Sequence, residues 1–221
     1  MNIKAYQQIN EKLQAQNVKL IAISKTKPVS DIKTLYDLGH RAFGENRAKE
    51  LQSKAQTLPN DIEWHMVGHM QSNKVKHVAP FVKLIHSVDS YSLLQEINKR
   101  ANQNKRTIDV LLQMHIAEES SKYGFNSNEI HDMLSTEKIE TLQNIRIVGL
   151  MGMATFTDDE AQIRKEFQHL HSIFTTLKSS FLKDEDNFKE LSIGMSGDYE
   201  IAITEGATMV RIGSLLFGAR S

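Results

Sequence analysis

The sequence contains no cysteine, and its 221 residues include only three prolines. The absence of cysteine excludes disulfide bonds, a thiolate nucleophile and zinc sites with cysteine ligands. No proline-rich or Ser/Gly-rich stretch separates two parts of the chain. We therefore expect residues 1–221 to form a single domain.

The chain also lacks a charge excess of either sign and a long apolar run. Lys+Arg and Asp+Glu number 27 each, whereas a protein that binds nucleic acid without sequence preference carries a basic excess. No apolar segment approaches the ~20 residues of a membrane-spanning helix, and residues 1–17 are too polar for a signal peptide. We expect a soluble cytoplasmic protein with neither nucleic acid nor membrane as a partner.

What the sequence does contain is an alternation of short apolar runs and polar segments. The apolar runs predict eight strands, at residues 18–24, 41–44, 63–69, 82–89, 108–117, 145–153, 190–195 and 208–214. The polar segments predict helices at about 2–16 and at 30–40, 45–57, 72–79, 90–104, 127–135, 158–182 and 197–206. Ser30, Ser90 and Asp158 are candidate helix caps.

The alternation favours a parallel sheet, because parallel strands need a crossover and the crossover is normally a helix. Eight strands close a (β/α)8 barrel of the TIM type, here with an extra N-terminal helix. The alternative is an open doubly wound sheet, which usually has fewer strands. The fold class predicted from the sequence is therefore α/β, with the barrel favoured.

In a TIM-type barrel, functional residues lie at the C-terminal ends of the strands. Lys25 follows the first predicted strand and shares a face with Ile21 and Ile23, because side chains alternate along a strand. A lysine at the end of an apolar face loses hydration, which lowers its pKa and favours the neutral amine that forms Schiff bases. The alternative is that Lys25 only lines the rim of the barrel.

Two segments that contain Ser and Gly follow the seventh and eighth predicted strands. They include Ser196 and Gly197 in the first segment and Gly213 and Ser214 in the second. TIM barrels often bind phosphate at these two strand ends, where Gly permits close approach of backbone N–H groups. The segments predict a phosphate site, although neither matches a P-loop or a dinucleotide-binding motif.

Arg211 lies two residues before Gly213 and so shares its face, which we expect to be the barrel interior. A buried arginine needs a partner, either an interior carboxylate or an acceptor on a ligand such as a pyridine nitrogen. We predict no metal site. The pair His65 and His69 lies in a predicted strand, where that spacing forms no ligand face, and the helical histidines near residue 170 point apart.

Seven segments, taken together and in order, make the sequence resemble a known family. They are AISKTKP (22–28), FGENR (43–47), EWHMVGHMQSNK (63–74), SSKYGF (120–125), GLMGMA (149–154), LSIGMSGDYEIAI (191–203) and GATMVRIGSLLFGAR (206–220). They are similar to the YggS/PROSC family of pyridoxal 5′-phosphate (PLP) binding proteins, also called PLP homeostasis proteins. The resemblance implies a fold-type III PLP barrel, like the N-terminal domain of bacterial alanine racemase.

The resemblance also implies a set of cofactor-binding residues. They are Lys25, Asn46, His65, Ser196, Gly197, Arg211, Ile212, Gly213 and Ser214. Lys25 matches the Schiff-base lysine, and Arg211 matches the arginine beside the pyridine nitrogen. The phosphate contacts are expected from Ser196, Gly213 and Ser214, with the backbone of Gly197 and Ile212. Lys122 also matches a family segment, but we leave it outside the core site.

The function implied by the resemblance is that of a PLP carrier in vitamin B6 homeostasis and amino-acid balance, without catalytic turnover. PLP enzymes work best with a protonated ring nitrogen, which the positive charge of Arg211 disfavours. The sequence ends about seven residues after the last predicted strand, so we expect no second domain to supply the further acid or base that racemisation needs. We expect a monomer, with PLP-dependent apo-enzymes as candidate recipients.

Two alternatives stay open at the level of sequence. One is a PLP-dependent amino-acid racemase-type enzyme, which would interconvert D and L amino acids. The other is a barrel enzyme that binds phosphate ligands without PLP, in which Lys25 would contact a sugar phosphate. The purified protein would then be colourless.

Overall fold

The structure, a computed structural model, describes residues 1–118, 123–136 and 139–218. Its helices and strands in chain order are α1 (Ile3–Gln14), β1 (Lys19–Ile23), α2 (Val29–Asp37), β2 (Ala42–Glu45), α3 (Ala48–Thr57), β3 (Glu63–Met66), β4 (Leu84–Val88), α4 (Tyr91–Gln103), β5 (Ile108–Gln113), α5 (Ser127–Leu134), β6 (Ile145–Met151), α6 (Glu160–Ser180), β7 (Glu190–Ser192), α7 (Tyr199–Thr204), β8 (Met209–Ile212) and α8 (Ser214–Phe217). A 3₁₀ helix, Ser72–His77, replaces the predicted α-helix between β3 and β4.

The eight strands form a closed barrel. They pair in chain order, all in parallel, and β8 pairs with β1 to close the ring. Helices follow most of the strands, as parallel connections require. The predicted TIM-type barrel is therefore confirmed, and the open doubly wound sheet is excluded.

The wall of the barrel divides the apolar core into an inner and an outer part. The inner core consists of Ile21, Ala42, Leu84, Leu111, Val148, Met151 and Met209. The outer core is much larger and lies between the strands and the helices. The division follows the alternation of side chains along each strand: in β1, Ile21 lies inside, whereas Leu20 and Ala22 pack against the helices.

The helix caps agree with the sequence in part. Ser90 caps α4 as predicted, since its hydroxyl accepts a hydrogen bond from a backbone N–H in the first turn. Ser30 is not a cap, because α2 already begins after Pro28, whose fixed φ suits the position before a helix. Asp159 caps α6 in place of Asp158, and its carboxylate accepts from two backbone N–H groups.

The longest helix, α6, packs one face on the barrel. Its buried residues include Ile163, Phe167, Leu170 and Leu177, at the spacing of one helical face. In the described parts of the chain, no helix combines the length and the apolar character needed to cross a membrane.

Candidate functional site

A cavity of about 770 Å³ opens at the C-terminal ends of the strands. Seven of the nine predicted site residues line it, namely Lys25, Asn46, Ser196, Gly197, Arg211, Gly213 and Ser214. They come from the loops after β1, β2, β7 and β8 and from β8 itself. The barrel therefore brings together residues that lie far apart in the sequence. His65 and Ile212 do not line this cavity.

Lys25 lies in a tight turn directly after β1. The N–H of Lys27 donates to the carbonyl oxygen of Ser24 at 3.0 Å. Thr26 has a φ of 63°, which is uncommon for a residue other than glycine, and its N–H donates to Oε1 of Glu50 at 2.7 Å. These bonds hold the backbone on both sides of Lys25, and its side chain lines the cavity.

A buried polar network supports this turn from the side of the helices. Lys54 of α3 donates hydrogen bonds of 2.8 Å to the carbonyl oxygen of Ser24, to Glu45 and to Glu50. The Ser24 hydroxyl also donates to Glu45, at 2.6 Å. Burial raises the pKa of Glu45, and the hydrogen bonds from Lys54 and Ser24 oppose that shift. The network ties α3 to the turn that contains Lys25.

Arg211 lies in the barrel interior beneath the cavity. Its NH1 donates to the carbonyl oxygen and the hydroxyl of Ser192, both at 2.7 Å, and its NH2 donates to the carbonyl oxygen of Gly152 at 3.0 Å. Burial lowers the pKa of Arg211 to about 10, against the opposing charge of Asp198. The guanidinium therefore keeps its charge at neutral pH. In the described part of the chain, its hydrogen bonds go to carbonyl and hydroxyl oxygens and not to a carboxylate.

The two predicted phosphate segments meet at the cavity. The N–H of Gly213 donates to the hydroxyl oxygen of Ser196 at 3.3 Å, which joins the two loops. The backbone N–H groups of Ser196 and Gly197 make no hydrogen bond within the described residues. A Cβ added to Gly197 would meet no atom within 4 Å, so its backbone is open to a ligand. Hydroxyl and N–H donors thus converge where an oxyanion can bind.

The other two predicted site residues, His65 and Ile212, do not line the cavity. Nδ1 of His65 lies 2.9 Å from Nε2 of His86, and Nδ1 of His86 lies 2.9 Å from the hydroxyl of Ser192. His65 therefore reaches Arg211 only through this chain of hydrogen bonds. The side chain of Ile212 is buried in the outer core, as alternation requires when the neighbouring Arg211 points inward. Only the backbone of Ile212 is available to a ligand.

Several residues of the cavity wall were not predicted from the sequence as site residues. Among them, His69 stacks on Tyr123 with ring centroids 3.8 Å apart, and its Nδ1 lies 2.8 Å from Oδ2 of Asp89. Gln113 donates to the carbonyl oxygen of Tyr123 at 3.0 Å. His69 and Gln113 lie at or shortly after the C-terminal ends of β3 and β5. That position was the sequence signal that could have identified them as cavity residues. Lys122 lies outside the described residues.

The family model of the alanine racemase N-terminal domain matches residues 3–221 of the chain. The pyridoxal phosphate homeostasis protein of Aquifex aeolicus is 38% identical over 203 residues, which cover 91% of this chain and 87% of that protein. The protein of the same name from Pasteurella multocida is 39% identical over 206 residues, which cover 92% and 87%.

Solved structures show the same similarity. PipY of Synechococcus elongatus without PLP matches with a TM-score of 0.90 at 32% identity, over 99% of this chain and 100% of PipY. The PLP-bound PipY structure matches with a TM-score of 0.84 at 33% identity, over 94% and 97%. Alanine racemase from Bartonella henselae matches at 16% identity with a TM-score of 0.69, over 95% of this chain and 57% of the racemase. That last likeness shows a shared fold alone.

Proposed function

Because the chain belongs to the family of pyridoxal phosphate homeostasis proteins, which have the barrel of the alanine racemase N-terminal domain, we propose that it binds PLP covalently through Lys25. The observation that carries the proposal is the arrangement of Lys25, Arg211 and the two Ser/Gly loops around one cavity. The PLP bound in the structure of PipY supports it.

The chemistry of the donor groups fits PLP. When bound, PLP supplies an aldehyde that condenses with a primary amine, a pyridine nitrogen that accepts a hydrogen bond, and a phosphate. Lys25 provides the amine, and Arg211 provides a donor toward the ring nitrogen. The hydroxyls of Ser196 and Ser214 and the open backbone of Gly197 provide donors toward the phosphate. Each group was expected from the sequence, and each lines the same cavity.

The charge of Arg211 supports carriage of PLP over catalysis. Its three hydrogen bonds fix the guanidinium in place, and its pKa of about 10 keeps it protonated. A fixed positive charge beside the ring nitrogen disfavours protonation of that nitrogen, and an unprotonated ring is a weaker electron sink. The protein then holds and releases PLP for vitamin B6 homeostasis and amino-acid balance, acting as a monomer in the cytoplasm with apo-enzymes as recipients.

The test compares Lys25→Ala with Lys27→Ala, which removes a neighbouring lysine of the same cavity wall. The wild type and Lys27→Ala are expected to show a visible absorption band with PLP, and borohydride should leave a pyridoxyl mass on Lys25. Lys25→Ala should show neither. A wild type that stays colourless after addition of PLP would contradict the proposal and favour a barrel that binds phosphate ligands without PLP.

The alternative hypothesis, that the protein is a racemase-type enzyme, can be tested with the same protein samples. We expect no interconversion of D- and L-alanine and no exchange of the α-proton in heavy water beyond that of free PLP. Turnover by the wild type that disappears in Lys25→Ala would show that the protein is an enzyme.

A further inference from the structure

A second cavity, of about 500 Å³, lies at the N-terminal ends of the strands, opposite the first cavity. Its wall includes Lys19 at the start of β1 and Glu190 at the start of β7. Leu84, Val148 and Met209 of the inner core also line it and separate it from the rest of the barrel interior. The proposed function makes no use of this cavity.

Basic side chains exceed acidic ones in the lining of the second cavity. The four basic residues are Lys19, Lys83, Arg146 and Lys189, and the two acidic residues are Asp109 and Glu190. Asp109 already accepts from Arg146 at 2.7 Å, and Glu190 accepts from a threonine hydroxyl at 2.7 Å. Lys19 pairs with Glu63. Lys83 and Lys189 form no ion pair with any described residue, so the lining favours an anion over a cation.

One residue of this lining, His65, also contains a buried polar atom without a partner in the described part of the chain. The side chain of His65 lines the cavity and is 1% exposed. Its Nδ1 bonds to His86, but its Nε2 is buried and has no hydrogen-bond partner among the described residues. An unpaired buried polar atom costs free energy, and a ligand that bonds to it removes that cost.

The hydrogen-bond chain determines whether this nitrogen donates or accepts. Arg211 can only donate, so the hydroxyl oxygen of Ser192 accepts from it. Among the described residues, Nδ1 of His86 is the acceptor within reach of the Ser192 hydroxyl hydrogen, so we assign that hydrogen to this bond. The His86 hydrogen is then on Nε2, where it donates to Nδ1 of His65. Burial lowers the pKa of both histidines well below the ordinary value, so each carries one hydrogen at neutral pH. The hydrogen of His65 is therefore on Nε2, which needs an acceptor.

We propose that the second cavity binds a small oxyanion, a phosphate or a carboxylate, that accepts a hydrogen bond from Nε2 of His65 and pairs with Lys83 and Lys189. An oxyanion offers a hydrogen-bond acceptor to Nε2 of His65 and a negatively charged partner to each of the two lysines. The cavity volume of about 500 Å³ admits a small organic acid as well as inorganic phosphate. The proposal is independent of the identity of the ligand in the first cavity.

Calorimetric titrations of PLP-saturated protein with inorganic phosphate and with malonate test the proposal, because the phosphate segments of the first cavity are then occupied. At least one of the two anions should bind with a stoichiometry of one per protein. The anion that binds more tightly shows whether the site prefers a phosphate or a carboxylate. The double variant Lys83→Met, Lys189→Met should bind at least about tenfold more weakly, since two charged contacts are lost. Lys165→Met, which removes an exposed lysine of α6 outside the cavity, should bind like the wild type.

A second measurement identifies the contact with His65. In ¹⁵N NMR of the histidine side chains, the binding anion should shift the Nε2 resonance of His65 and leave that of the exposed His169 unchanged. Absence of binding by both anions would overturn the proposal. Equal binding by the double variant and Lys165→Met, or binding without a shift at His65, would overturn it as well. If the protein takes up no PLP, the lysine variants still locate the anion, because neither lysine lines the first cavity.

Discussion

The environment of each site residue follows from its position along its strand. Ile21 and Ile23 face the barrel interior, and Lys25 continues that face to the cavity. In β8 the neighbours Arg211 and Ile212 have opposite environments, the cavity and the outer core. A shift of one residue would exchange them, because side chains alternate along a strand.

Ser196→Ala is expected to weaken PLP binding about tenfold or more, since a hydrogen bond to a charged group contributes about 1.5–3 kcal/mol. The free energy of unfolding should change by only about 1 kcal/mol, the contribution of one neutral hydrogen bond, here from the N–H of Gly213. PLP titrations followed by absorbance, together with urea unfolding, measure both quantities. Ser172→Ala, an exposed serine of α6, is the control. Unchanged affinity in Ser196→Ala would remove this residue from the phosphate site.

At the scale of elements, α3 supports the turn after β1 through two side chains, Glu50 and Lys54. Lys54 bonds to the carbonyl oxygen of Ser24 and to two carboxylates, and it is 6% exposed. Glu45 is fully buried, and its Oε2 has no partner among the described residues. Most of the compensation for this buried carboxylate therefore comes from Lys54 and Ser24.

Lys54→Met is expected to lower the free energy of unfolding by about 3–5 kcal/mol, because it leaves the carboxylate of Glu45 buried without its cation. The double variant Glu45→Gln, Lys54→Met should recover part of that loss. Lys49→Met, an exposed lysine of the same helix, should change it by less than about 0.5 kcal/mol. Urea unfolding followed by circular dichroism measures all three. Similar losses in Lys54→Met and Lys49→Met would show that the network contributes nothing specific.

At the scale of the whole molecule, buried histidines couple stability to pH. Burial lowers the pKa of His40 from 6.5 to about 4, and it lowers those of His65 and His86 in the same direction. In the unfolded chain these groups return to their ordinary value, so the unfolded state binds protons more readily in acid. Their contribution to stability is complete above pH 6.5 and is lost as the pH falls toward the folded pKa.

The lowered pKa of His40 alone is expected to decrease the free energy of unfolding by about 2 kcal/mol when the pH falls from 8 to 5. Urea unfolding across this range should show a smaller loss in His40→Gln, while His169→Gln, an exposed histidine, should follow the wild type. Comparing variants isolates His40, because burial raises the pKa values of Glu45 and Asp198 and acts in the opposite direction. Identical pH dependence in His40→Gln and the wild type would contradict the assignment.

The sequence by itself determined the barrel and seven of the residues that line the first cavity. All eight predicted strands overlap observed ones, because short continuous apolar runs mark parallel strands that are buried on both faces. The functional segments follow strand ends directly, so knowing the barrel was enough to place Lys25 near Ser196 and Ser214. Helix ends were less well predicted, as at Pro28 and Asp159, because neighbouring residues compete for the cap.

Only the tertiary structure decided how the buried polar groups pair. His65 was expected near the PLP cavity, yet it bonds to His86, 21 residues away, and lines the second cavity instead. His86 in turn bonds to Ser192, 106 residues further along the chain. Sequence periodicity assigns a side chain to the inside of the barrel, but it does not encode which buried group of another strand becomes its partner. The partner of each buried nitrogen depends on contacts across the closed barrel, which exist only once β8 has paired with β1.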